Sequence, residues 1–391
     1  MNLPLWGVRV LEYAQYVAGP LCGVLLHDLG AEVVKVEPPA GDGYRYVMPV
    51  AAGLGRYFVP LNRGKRSVVL DLKSEEGRER SAALLATADI VLHNYQPERA
   101  AAFGLDGDEL LSSRPELVVG VVTSFGQEGP LAGTPAYDLV AQARSGLLTS
   151  HAGPGDTVPV RAGGIPMADL TAGYLLASSV LAALVSARTS GAGSVVDVSL
   201  LAAALAVQVQ DLVWLEGEGD ARARTATPAD LASRADEIAG GISMNPYYRC
   251  FATRNGFLAV ACLNAAQRRA FLALFGLDDP TVDAPDIVPS DREILTAKRR
   301  LTSEIEHRFE DEPASAWLER LAAAGVPASP VLMRESVHAD EQVVASGLVA
   351  EVEQPGLGRV RMLGSLVGRR GEAEAAPLLG ADTDAVLGEL A

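Results

Sequence analysis

Short runs of apolar, mostly β-branched residues recur through the N-terminal half of the chain, separated by stretches in which apolar residues have helical spacing. Six of these runs are typical of buried strands, namely 8–13, 32–37, 67–72, 89–94, 117–123 and 194–199. Between them, Pro20 to Leu29 and Glu75 to Thr87 predict helices, the second with Ser74 as its N-cap. Strands that alternate with helices predict an α/β domain whose parallel sheet is covered on both faces and joined by right-handed crossovers.

The pattern changes after Trp214. Residues 216–241 are polar, charged and rich in alanine and glycine, which is typical of a linker or an exposed passage. A smaller unit is predicted to follow, with a strand at 257–262 and helices near 265–275 and 291–310. From about Gly325 onward, short strand and turn patterns predict a segment that returns to the first domain.

The most apolar stretch, Leu170 to Ala187, is close to the length of a membrane span. It is interrupted by the small and polar residues Thr171, Gly173, Tyr174, Ser178, Ser179 and Ser186. These interruptions favour a buried core helix over a transmembrane helix. The N-terminal residues 1–13 contain no basic segment followed by an apolar run, so no signal peptide is expected.

Composition and charge narrow the classes of partner. Of the 391 residues, 49% are hydrophobic and 21% are charged, which is ordinary for a globular protein of more than one domain. The formal net charge of −16 argues against nucleic acid or an anionic membrane as the main partner. The cysteines Cys22, Cys250 and Cys262 form no CxxC pair, which favours a reducing, cytoplasmic location.

Several motifs that would assign other chemistry are missing from the sequence. No GxxxxGKS or GxxxxGKT loop occurs, and LEYAQYVAGP stands where a dinucleotide-binding protein would have GxGxxG after its first strand. No GxSxG elbow occurs, and the histidines lack metal-ligand spacing. Dehydrogenase, serine hydrolase and zinc hydrolase activities are therefore disfavoured, and no metal site is predicted.

One basic segment contrasts with this acidic chain. Residues 56–73 contain the cations Arg56, Arg63, Lys65, Arg66 and Lys73. Such a cluster predicts either a site for a phosphate-bearing ligand or a solvated loop that leads into a strand. The pattern alone leaves both interpretations open.

A glycine- and proline-rich loop follows the run at 117–123. Loops at the carboxyl ends of parallel strands are where open α/β sheets place their ligands. Tyr137 and Asp138 then begin a helix that contains Gln142. For Tyr137 and Asp138, a functional role and a structural role are both open. The structural role of Tyr137 is that of a half-buried hydrogen-bonding residue, and that of Asp138 is a helix cap.

Asp169 lies at the start of the apolar helix, shortly after the GGIP segment at 163–166. Aspartate at this place is typical of an N-cap, which is worth about 0.5–2 kcal/mol. The same geometry would hold the carboxylate ionised through the helix dipole and the free N–H groups, while GGIP would let a ligand approach closely. An ionised, fixed carboxylate can attack a thioester carbonyl and form a mixed anhydride. The sequence pattern alone therefore leaves two roles open for Asp169, that of a helix cap and that of a nucleophile.

Taken in order, these segments resemble the family III CoA-transferases, the group that contains formyl-CoA transferase, carnitine CoA-transferase and the α-methylacyl-CoA racemases. The resemblance runs through nearly the whole chain and is carried by GVRVLEYAQYVAGP, LLHDLGAEVVKVEPPAGDGYR, NRGKRSVVLDLKSEEGRE, ADIVLHNYQP, SFGQEGP, PAYDLVAQARSGL, GGIPMADLTAGYLLASSVLAALVSARTSGAGSVVDVSL, GVPASPV and PLLGADTDAVL. Each segment alone is unspecific, whereas their order and spacing together are highly specific.

The resemblance implies an architecture that periodicity does not reveal. It implies a Rossmann-like, CoA-binding large domain of residues 1–215 and 330–391, in which both chain ends contribute to the parallel sheet. A linker and a smaller inserted α+β domain are implied for 216–329. An interlocked homodimer and a cytoplasmic enzyme are implied as well. No tightly bound cofactor is implied, because coenzyme A and its acyl thioesters are substrates together with a carboxylic acid.

The resemblance also implies a mechanism and a set of site residues. Asp169 matches the catalytic aspartate, whose carboxylate attacks the donor acyl-CoA to form a mixed anhydride and then an aspartyl-CoA thioester before the acceptor acid reacts. Tyr137 and Gln15 are expected to position the acyl group or to stabilise the anhydride oxygens. The residues expected to bind CoA are Val17, Arg45, Leu72, Lys73, Asn94, Tyr95 and Arg99.

Some positions depart from better-known members of the family. The racemases have a histidine where this chain has Tyr137 and an acidic residue where it has Arg249, so both acid–base positions of an epimerase are replaced. Relative to formyl-CoA transferase, Val17 replaces an active-site glutamine, Pro38 and Gln96 replace arginines, and a run of four glycines is missing. A CoA-transferase is therefore expected. The alternatives are an acyl-CoA epimerase or isomerase and a non-catalytic acyl-CoA-binding protein.

Overall fold

The structure is a computed structural model, and it describes residues 3–153, 155–216, 224–283, 292–368 and 371–390. The chain divides into two compact units. The first comprises Met1–Leu148, Arg161–Arg222 and His338–Ala391, and the second comprises Thr149–Val160 and Ala223–Val337. The first unit is therefore assembled from segments that are distant in the sequence.

The described residues form strands and α-helices that are numbered in chain order. The strands are β1 (Arg9–Glu12), β2 (Glu32–Glu37), β3 (Pro49–Ala51), β4 (Leu54–Gly55), β5 (Arg66–Val69), β6 (Ile90–His93), β7 (Val118–Thr123), β8 (Ser194–Ser199), β9 (Tyr248–Thr253), β10 (Gly256–Ala261), β11 (Ala328–Pro330), β12 (Val349–Gln354) and β13 (Gly358–Leu363). The helices are α1 (Ala18–Asp28), α2 (Phe58–Asn62), α3 (Glu75–Leu85), α4 (Pro97–Ala102), α5 (Gly107–Ser113), α6 (Asp138–Arg144), α7 (Met167–Ser190), α8 (Leu200–Ala206), α9 (Pro228–Met244), α10 (Ala265–Ala273), α11 (Arg292–Glu310), α12 (Ala314–Ala323), α13 (Glu341–Ala345) and α14 (Thr383–Gly388).

A six-stranded sheet lies at the centre of the first unit, with the strand order β5-β2-β1-β6-β7-β8. Its neighbouring strands are all parallel; in the β1–β2 pair, for example, Arg9 lies opposite Glu32. The predicted parallel α/β sheet is confirmed. Its six strands all lie within residues 9–199, so the expectation that both chain ends contribute to this sheet is wrong for the described residues. The C-terminal strands β12 and β13 pair with each other in a separate antiparallel sheet. The strand order reverses between β1 and β6, and in doubly wound sheets ligands bind at such a reversal, outside the carboxyl ends of the strands.

The helices pack on both faces of this sheet, because successive side chains of a strand point to opposite sides. Val10 and Leu92 belong to a core that also contains residues of α1 and α7. Leu11 and Val91, one position away on the same strands, belong to a second core that contains residues of α3. The predicted cap of α3 is confirmed, since Ser74 Oγ accepts a hydrogen bond from Gly77 N at 3.0 Å.

Helix α7 is long and apolar enough to cross a membrane by length and composition, with 44% of the most apolar window buried. Its residues Ala172, Leu176 and Val180 have no exposed surface and belong to the core of the first unit. The helix packs against α1, α8 and β7. A core helix passes the same composition test as a membrane span, and this burial agrees with the predicted core helix.

Residues near the C-terminus lie along the edge strand β5. The Asp382 carboxylate accepts a hydrogen bond from Ser67 N at 2.8 Å, and Thr383 Oγ1 accepts one from Val69 N at 3.0 Å. Gly380 N donates to Ser67 Oγ at 2.9 Å. The first two contacts satisfy backbone donors that the edge strand would otherwise leave open for pairing with another chain.

The second unit contains an antiparallel sheet in the order β11-β10-β9 and the helices α9 to α12. Its core is aromatic: the Phe309 ring lies 4.5 Å from that of Phe251 and 4.7 Å from that of Trp317. The strand predicted at 257–262 corresponds to β10. The predicted helices near 265–275 and 291–310 correspond to α10 and α11, with residue 291 outside the described residues.

The segment predicted as a linker or exposed passage, 216–241, contains the start of helix α9. Residues 217–223 lie outside the described residues. Thr227 and Asp230 form a capping box before and within the first turn of this helix, with Pro228 at its first position. The alanine- and glycine-rich composition concealed the helix, although threonine, proline and aspartate at this spacing are a helix-start signal.

Candidate active site

A cavity of about 860 Å³ lies at the carboxyl ends of β1, β6 and β7. Two of its loops are tied together by reciprocal hydrogen bonds: Gln15 N donates to Asn94 Oδ1 at 3.1 Å, and Asn94 Nδ2 donates to Gln15 O at 3.0 Å. These bonds join the loop after β1 to the loop after β6, across the reversal of strand order. The cavity thus occupies the place where a doubly wound sheet binds its ligand.

The cavity brings together most of the residues that the sequence predicted for a site. Its wall includes Gln15, Val17, Asn94, Tyr95, Arg99, Tyr137 and Asp169. Leu72 and Lys73 instead line a smaller cavity of about 30 Å³, whose wall shares Pro38, Tyr95 and Arg99 with the larger one. Residues from five separate parts of the sequence therefore meet at this edge of the sheet.

The structural role of Asp169 differs from the predicted N-cap. The helix begins at Met167, so Asp169 lies within the first turn, and Pro166 stands at the cap position without a side-chain cap. The cap comes from Asp138, whose Oδ1 accepts hydrogen bonds from Ala168 N at 2.9 Å and Asp169 N at 3.3 Å. The prediction that Asp169 caps its own helix is wrong, because a residue from another helix occupies that role.

The charge on Asp169 also differs from the prediction. Burial and the neighbouring Asp138 carboxylate raise the pKa of Asp169 to about 7, and the Arg161 guanidinium offsets part of this rise. Removal of water and a nearby like charge both disfavour the ionised carboxylate. The expectation that the helix N-terminus holds Asp169 fully ionised is therefore corrected. The carboxyl changes its charge close to neutral pH, as groups at functional sites often do.

Asp138 is buried, and both of its oxygens have partners. Besides the two backbone N–H groups on Oδ1, its Oδ2 accepts a hydrogen bond from Gln142 Nε2 at 2.8 Å and lies 3.3 Å from Arg161 Nη1. Asp138 opens α6, whose own cap position is held by Tyr137 without a side-chain bond. The prediction that Asp138 caps a helix is therefore correct, but the helix that it caps is α7 and not α6.

Three tyrosine rings, those of Tyr16, Tyr44 and Tyr137, line the cavity together with Asp169. The Tyr16 ring contacts the other two edge to face, at centroid distances of 5.8 Å to Tyr44 and 5.7 Å to Tyr137. Burial raises the pKa of Tyr44, and the Asp169 charge raises it further, which places this hydroxyl in the electrostatic field of the carboxyl. Sequence reasoning missed Tyr16 and Tyr44, because no pattern distinguishes either from an ordinary loop tyrosine.

Arg45 does not fit the predicted role of a CoA contact. Its side chain has no exposed surface, and its Nε and Nη2 donate to Glu37 at 2.7 and 2.6 Å. Its Nη1 donates to the carbonyl oxygens of Gly53 and Pro377, and its guanidinium lies 3.9 Å from the centre of the Phe58 ring. The prediction for Arg45 is therefore corrected: it is a buried structural residue whose donors are used inside the protein.

The basic segment at 56–73 is also used largely for internal pairing. Three of its cations form ion pairs with N–O distances of 2.6 to 2.7 Å, namely Arg63–Asp28, Lys65–Glu12 and Arg66–Glu32. Lys73 is exposed and lines the smaller cavity together with Arg99. Arg56 is exposed as well, but of the five cations of the segment only Lys73 lines either of the two cavities. Among the described residues, no group of three or more His, Cys, Asp or Glu side chains is placed to hold a metal ion.

Comparison with known proteins shows the family of the chain. The family model for CoA-transferase family III matches residues 5–383. The chain is a family III CoA-transferase. It is 31% identical over 399 residues to the succinyl-CoA:glutarate CoA-transferase of Homo sapiens, with 99% of this chain and 86% of that protein covered.

Two further proteins are similar to this transferase. A probable fatty acyl-CoA transferase of Mycobacterium tuberculosis is 34% identical over 353 residues, which cover 89% of this chain and 86% of that protein. Among solved structures, a CaiB/BaiF family protein from Brucella suis matches with a TM-score of 0.79 and 29% identity, covering 100% of both chains. The family is thus established, whereas the acyl group or acid in the name differs between the human and the mycobacterial relative.

Proposed function

We propose that this transferase moves CoA from an acyl-CoA thioester to a free carboxylic acid through covalent intermediates on Asp169. The observation that carries the proposal is a carboxyl group with a pKa of about 7 on the wall of the cavity at the reversal of strand order. Close to neutral pH such a group is ionised in a large share of molecules, and a more basic carboxylate is a better nucleophile.

Each step of the proposed reaction exchanges one thiolate and one carboxylate. An Asp169 oxygen attacks the thioester carbonyl, the carbon–sulfur bond breaks, and the CoA thiolate leaves a mixed anhydride behind. The thiolate then attacks the Asp169 carbonyl, which releases the donor carboxylate and forms an aspartyl-CoA thioester. The acceptor carboxylate attacks this thioester and regenerates the thiolate with a second anhydride. Thiolate attack on the acceptor carbonyl completes the new acyl-CoA and frees the Asp169 carboxylate.

Gln15 and Tyr137 are proposed to assist the carbonyl centres. Every attack places negative charge on a carbonyl oxygen, and donors that are already oriented stabilise that charge. Both side chains line the cavity with Asp169 and carry hydrogen-bond donors. The backbone of Gln15 is fixed by its reciprocal bonds to Asn94, so its side chain starts from a defined place.

The CoA moiety is proposed to lie along the loop after β6 and toward the smaller cavity. Arg99 is held by packing, since its guanidinium carbon lies 5.1 Å from the centre of the Tyr95 ring and 5.2 Å from that of Phe103. Arg99 and Lys73 supply the positive charge that phosphates require. Val17, Leu72, Asn94 and Tyr95 complete this proposed CoA surface.

The acceptor is proposed to be a dicarboxylic acid. Among the described residues that line the cavity, the cations are Arg99 and Arg161. Arg161 lies at the Asp169 end, with its side chain 37% exposed and one nitrogen beside Asp138. An arginine fork suits a carboxylate, and the human relative is named for glutarate. Because the mycobacterial relative is named for a fatty acyl group, both classes of acid belong in the test.

The assembly and location are proposed from the same resemblance. An interlocked homodimer is supported by apolar side chains that the single chain leaves exposed, with Val209 and Val213 exposed by 73% and 67%. A reducing, cytoplasmic location is supported by Cys22, Cys250 and Cys262, which are free thiols. The boundaries at 1–215, 216–329 and 330–391 remain the proposed division into a large CoA-binding domain and a small domain.

The nucleophile is tested by trapping the acyl group on the protein. Wild type and Asp169→Asn are incubated with succinyl-CoA, glutaryl-CoA or a long-chain acyl-CoA, and the reaction is quenched with hydroxylamine. Mass spectrometry of the peptide that contains residue 169 should find a hydroxamate at Asp169 in the wild type only. Loss of the nucleophile should lower kcat by at least about 10³-fold. Asp108→Asn, an exposed change in the first turn of α5, is the matched control.

Two results would contradict the proposal. Full turnover by Asp169→Asn with an acid that the wild type accepts would remove the nucleophile assignment. Incorporation of deuterium at the α-carbon of the acyl group, without any acceptor acid, would indicate an epimerase instead. A preference for monocarboxylic over dicarboxylic acids of equal length would overturn the proposed acid class while leaving the transfer chemistry intact.

A further inference from the structure

Tyr16 has a backbone conformation that bulky residues rarely adopt. Its φ angle is 71°, and it lies between Gln15 and Val17 in the loop that follows β1. Among the described residues other than glycine, only Met48 shares a positive φ, at 50°. Strained conformations of this kind persist where the surrounding structure over-determines them, and they cluster at functional sites. The contacts around Tyr16 therefore bear on the function of this strained conformation.

A buried ion pair, Lys35–Asp42, holds the loop on both sides of Gln15. The Asp42 carboxylate accepts hydrogen bonds from Tyr16 N at 3.2 and 3.3 Å. Lys35 Nζ lies 2.9 Å from Asp42 Oδ2 and donates to Ala14 O at 2.8 Å. Neither charged side chain has any exposed surface. Any change in the position of either charge would therefore be transmitted to the loop backbone.

The pair belongs to a longer row of alternating charges under the cavity. Glu12 lies between two ammonium groups, with Lys35 Nζ at 2.9 Å and Lys65 Nζ at 2.7 Å, and these side chains are also fully buried. Buried ion pairs are weak evidence for stability, because desolvation opposes the attraction between the charges. The row ends at Asp42, whose carboxylate accepts the hydrogen bonds from the backbone N–H of Tyr16.

The strain places the Tyr16 ring and hydroxyl in the cavity. Its ring contacts Tyr137 and Tyr44 edge to face, and all three line the same cavity as Asp169. The ring approaches Gly43 so closely that a Cβ at that position would lie 2.8 Å from Tyr16 Oη. Burial and the neighbouring Tyr137 raise the pKa of Tyr16, so its hydroxyl keeps its proton and can donate a hydrogen bond.

We propose that Tyr16 is a catalytic residue of the transfer site, whose hydroxyl donates to the acyl carbonyl oxygen as negative charge develops there. The buried Lys35–Asp42 pair is the positioning device that holds Tyr16 in its strained conformation. Donors that are oriented before the reaction stabilise the charge without reorganisation, which is what a rigid, strained attachment provides. The inference rests on the proposed function of Asp169, because the oxygen that Tyr16 contacts belongs to the acyl group that Asp169 attacks.

The hydroxyl is tested first by Tyr16→Phe. The change keeps the ring contacts, so the Kd for CoA, measured by calorimetry, and the Tm should match the wild type. The rate of Asp169 acylation should fall by about 10²-fold, the lower end for removal of one oriented donor. Tyr46→Phe is the matched control, because that hydroxyl is exposed, bonds to Ala40 O at 2.8 Å and does not line the cavity. It should leave the acylation rate unchanged.

The need for the Tyr16 side chain, as distinct from its backbone conformation, is tested by a pair of glycine variants. Tyr16→Gly and Met48→Gly both replace a positive-φ residue by the one that adopts this conformation freely, so both are expected to stay folded. Only Tyr16→Gly should slow acylation, because Met48 does not line the cavity. Equal rates for the two variants would overturn the inference.

The positioning device is tested by a double-mutant cycle. Asp42→Asn keeps the size of the side chain and removes its charge from Lys35, and it should lower the acylation rate at unchanged Kd for CoA. In the Tyr16→Phe background the same change should have little further effect, because residues that act through one another are not additive. Full additivity would assign Asp42 a merely structural role. If Asp42→Asn does not fold, the phenylalanine and glycine variants decide the inference by themselves.

The two proposals fail in different ways. If Tyr16→Phe acylates at the wild-type rate while hydroxylamine still traps Asp169, the role of Tyr16 is wrong and the nucleophile stands. If no donor labels Asp169 in the wild type, the proposed function is wrong, and the Tyr16 inference falls with it.

Discussion

At the scale of single residues, the chemistry of Asp169 depends on Asp138, a residue 31 positions earlier in the chain. One oxygen of Asp138 orients the first turn of α7 through Ala168 N and Asp169 N. Burial of Asp169 and, second to it, the negative charge of Asp138 raise the pKa of Asp169 to about 7. Arg161 Nη1 lies 3.3 Å from Asp138 Oδ2, and the positive charge of Arg161 offsets part of this rise in pKa. Asp138 thus contributes both to the orientation of Asp169, the proposed nucleophile, and, together with burial, to its raised pKa.

This arrangement predicts a pH dependence of acylation. A raised pKa means that Asp169 is protonated below about pH 7, so acylation should rise with pH through that value. Asp138→Asn keeps the size of the side chain and an oxygen for the cap but removes the like charge. The variant should therefore reach its half-maximal acylation rate at a lower pH, measured by rapid quench with hydroxylamine from pH 5 to 9. Asp108→Asn should keep the wild-type midpoint, and a midpoint that rises in Asp138→Asn would refute the role given to Asp138.

At the scale of elements, the contact between α1 and α7 brings two walls of the cavity together. Val17 and Ala18 of the cavity wall lie at the start of α1, and Asp169 lies in the first turn of α7. The helices approach closely at Gly173, where a Cβ would lie 2.8 Å from Ala18 O and 2.9 Å from Leu21 Cβ. A side chain larger than hydrogen would push the helices apart. The distance between Asp169, the proposed nucleophile, and the loop after β1 therefore depends on this glycine.

Gly173→Ala tests that dependence. Although alanine favours a helix by up to about 1 kcal/mol over glycine, overpacking a close contact costs about 1–3 kcal/mol. The free energy of unfolding, measured with urea, should fall, and kcat should fall with it because the walls separate. Ser178→Ala, an exposed position on the same helix, is the control and should leave both quantities nearly unchanged. An unchanged or increased stability of Gly173→Ala would show that the two helices can separate freely.

At the scale of the whole molecule, the single chain leaves apolar surface exposed beyond the cavity. The segment 207–215 follows α8, and within it Val209, Leu212 and Val213 are exposed by 73%, 52% and 67%. Contiguous exposed apolar surface usually marks an interface. In the proposed interlocked homodimer, the second copy covers this segment.

Val213→Asp tests that assembly. A buried, unpaired charge in an interface is strongly unfavourable, so the dimer dissociation constant should rise by at least about 10²-fold. Sedimentation velocity over a range of concentrations measures it. Val344→Asp is the matched control, since Val344 is 56% exposed in α13 and lies outside the segment. A monomeric wild type, or a dimer that tolerates Val213→Asp and not Val344→Asp, would contradict the proposed interface.

The predictable part of the structure follows from interactions between residues that are close in sequence. Alternating strand and helix patterns predicted the parallel sheet, because β-branched runs and helical spacing report which faces must be buried. Ser74 was identified as a cap for the same reason, since its partner Gly77 lies three residues away. The order of motifs then indicated the family and singled out Asp169. Helix α9 was missed only because its composition concealed a local start signal.

What the sequence by itself determined is the layered α/β fold, the family and the place of Asp169 at the start of an apolar helix. The tertiary structure alone decided that Asp138 supplies the cap, that Asp169 titrates near neutral pH and that Arg45 is occupied by Glu37. It also decided that Tyr16 is strained beside the cavity. The physical reason is that helix and strand patterns arise from near neighbours along the chain. Charge, desolvation and backbone strain depend instead on distances between residues that only folding brings together.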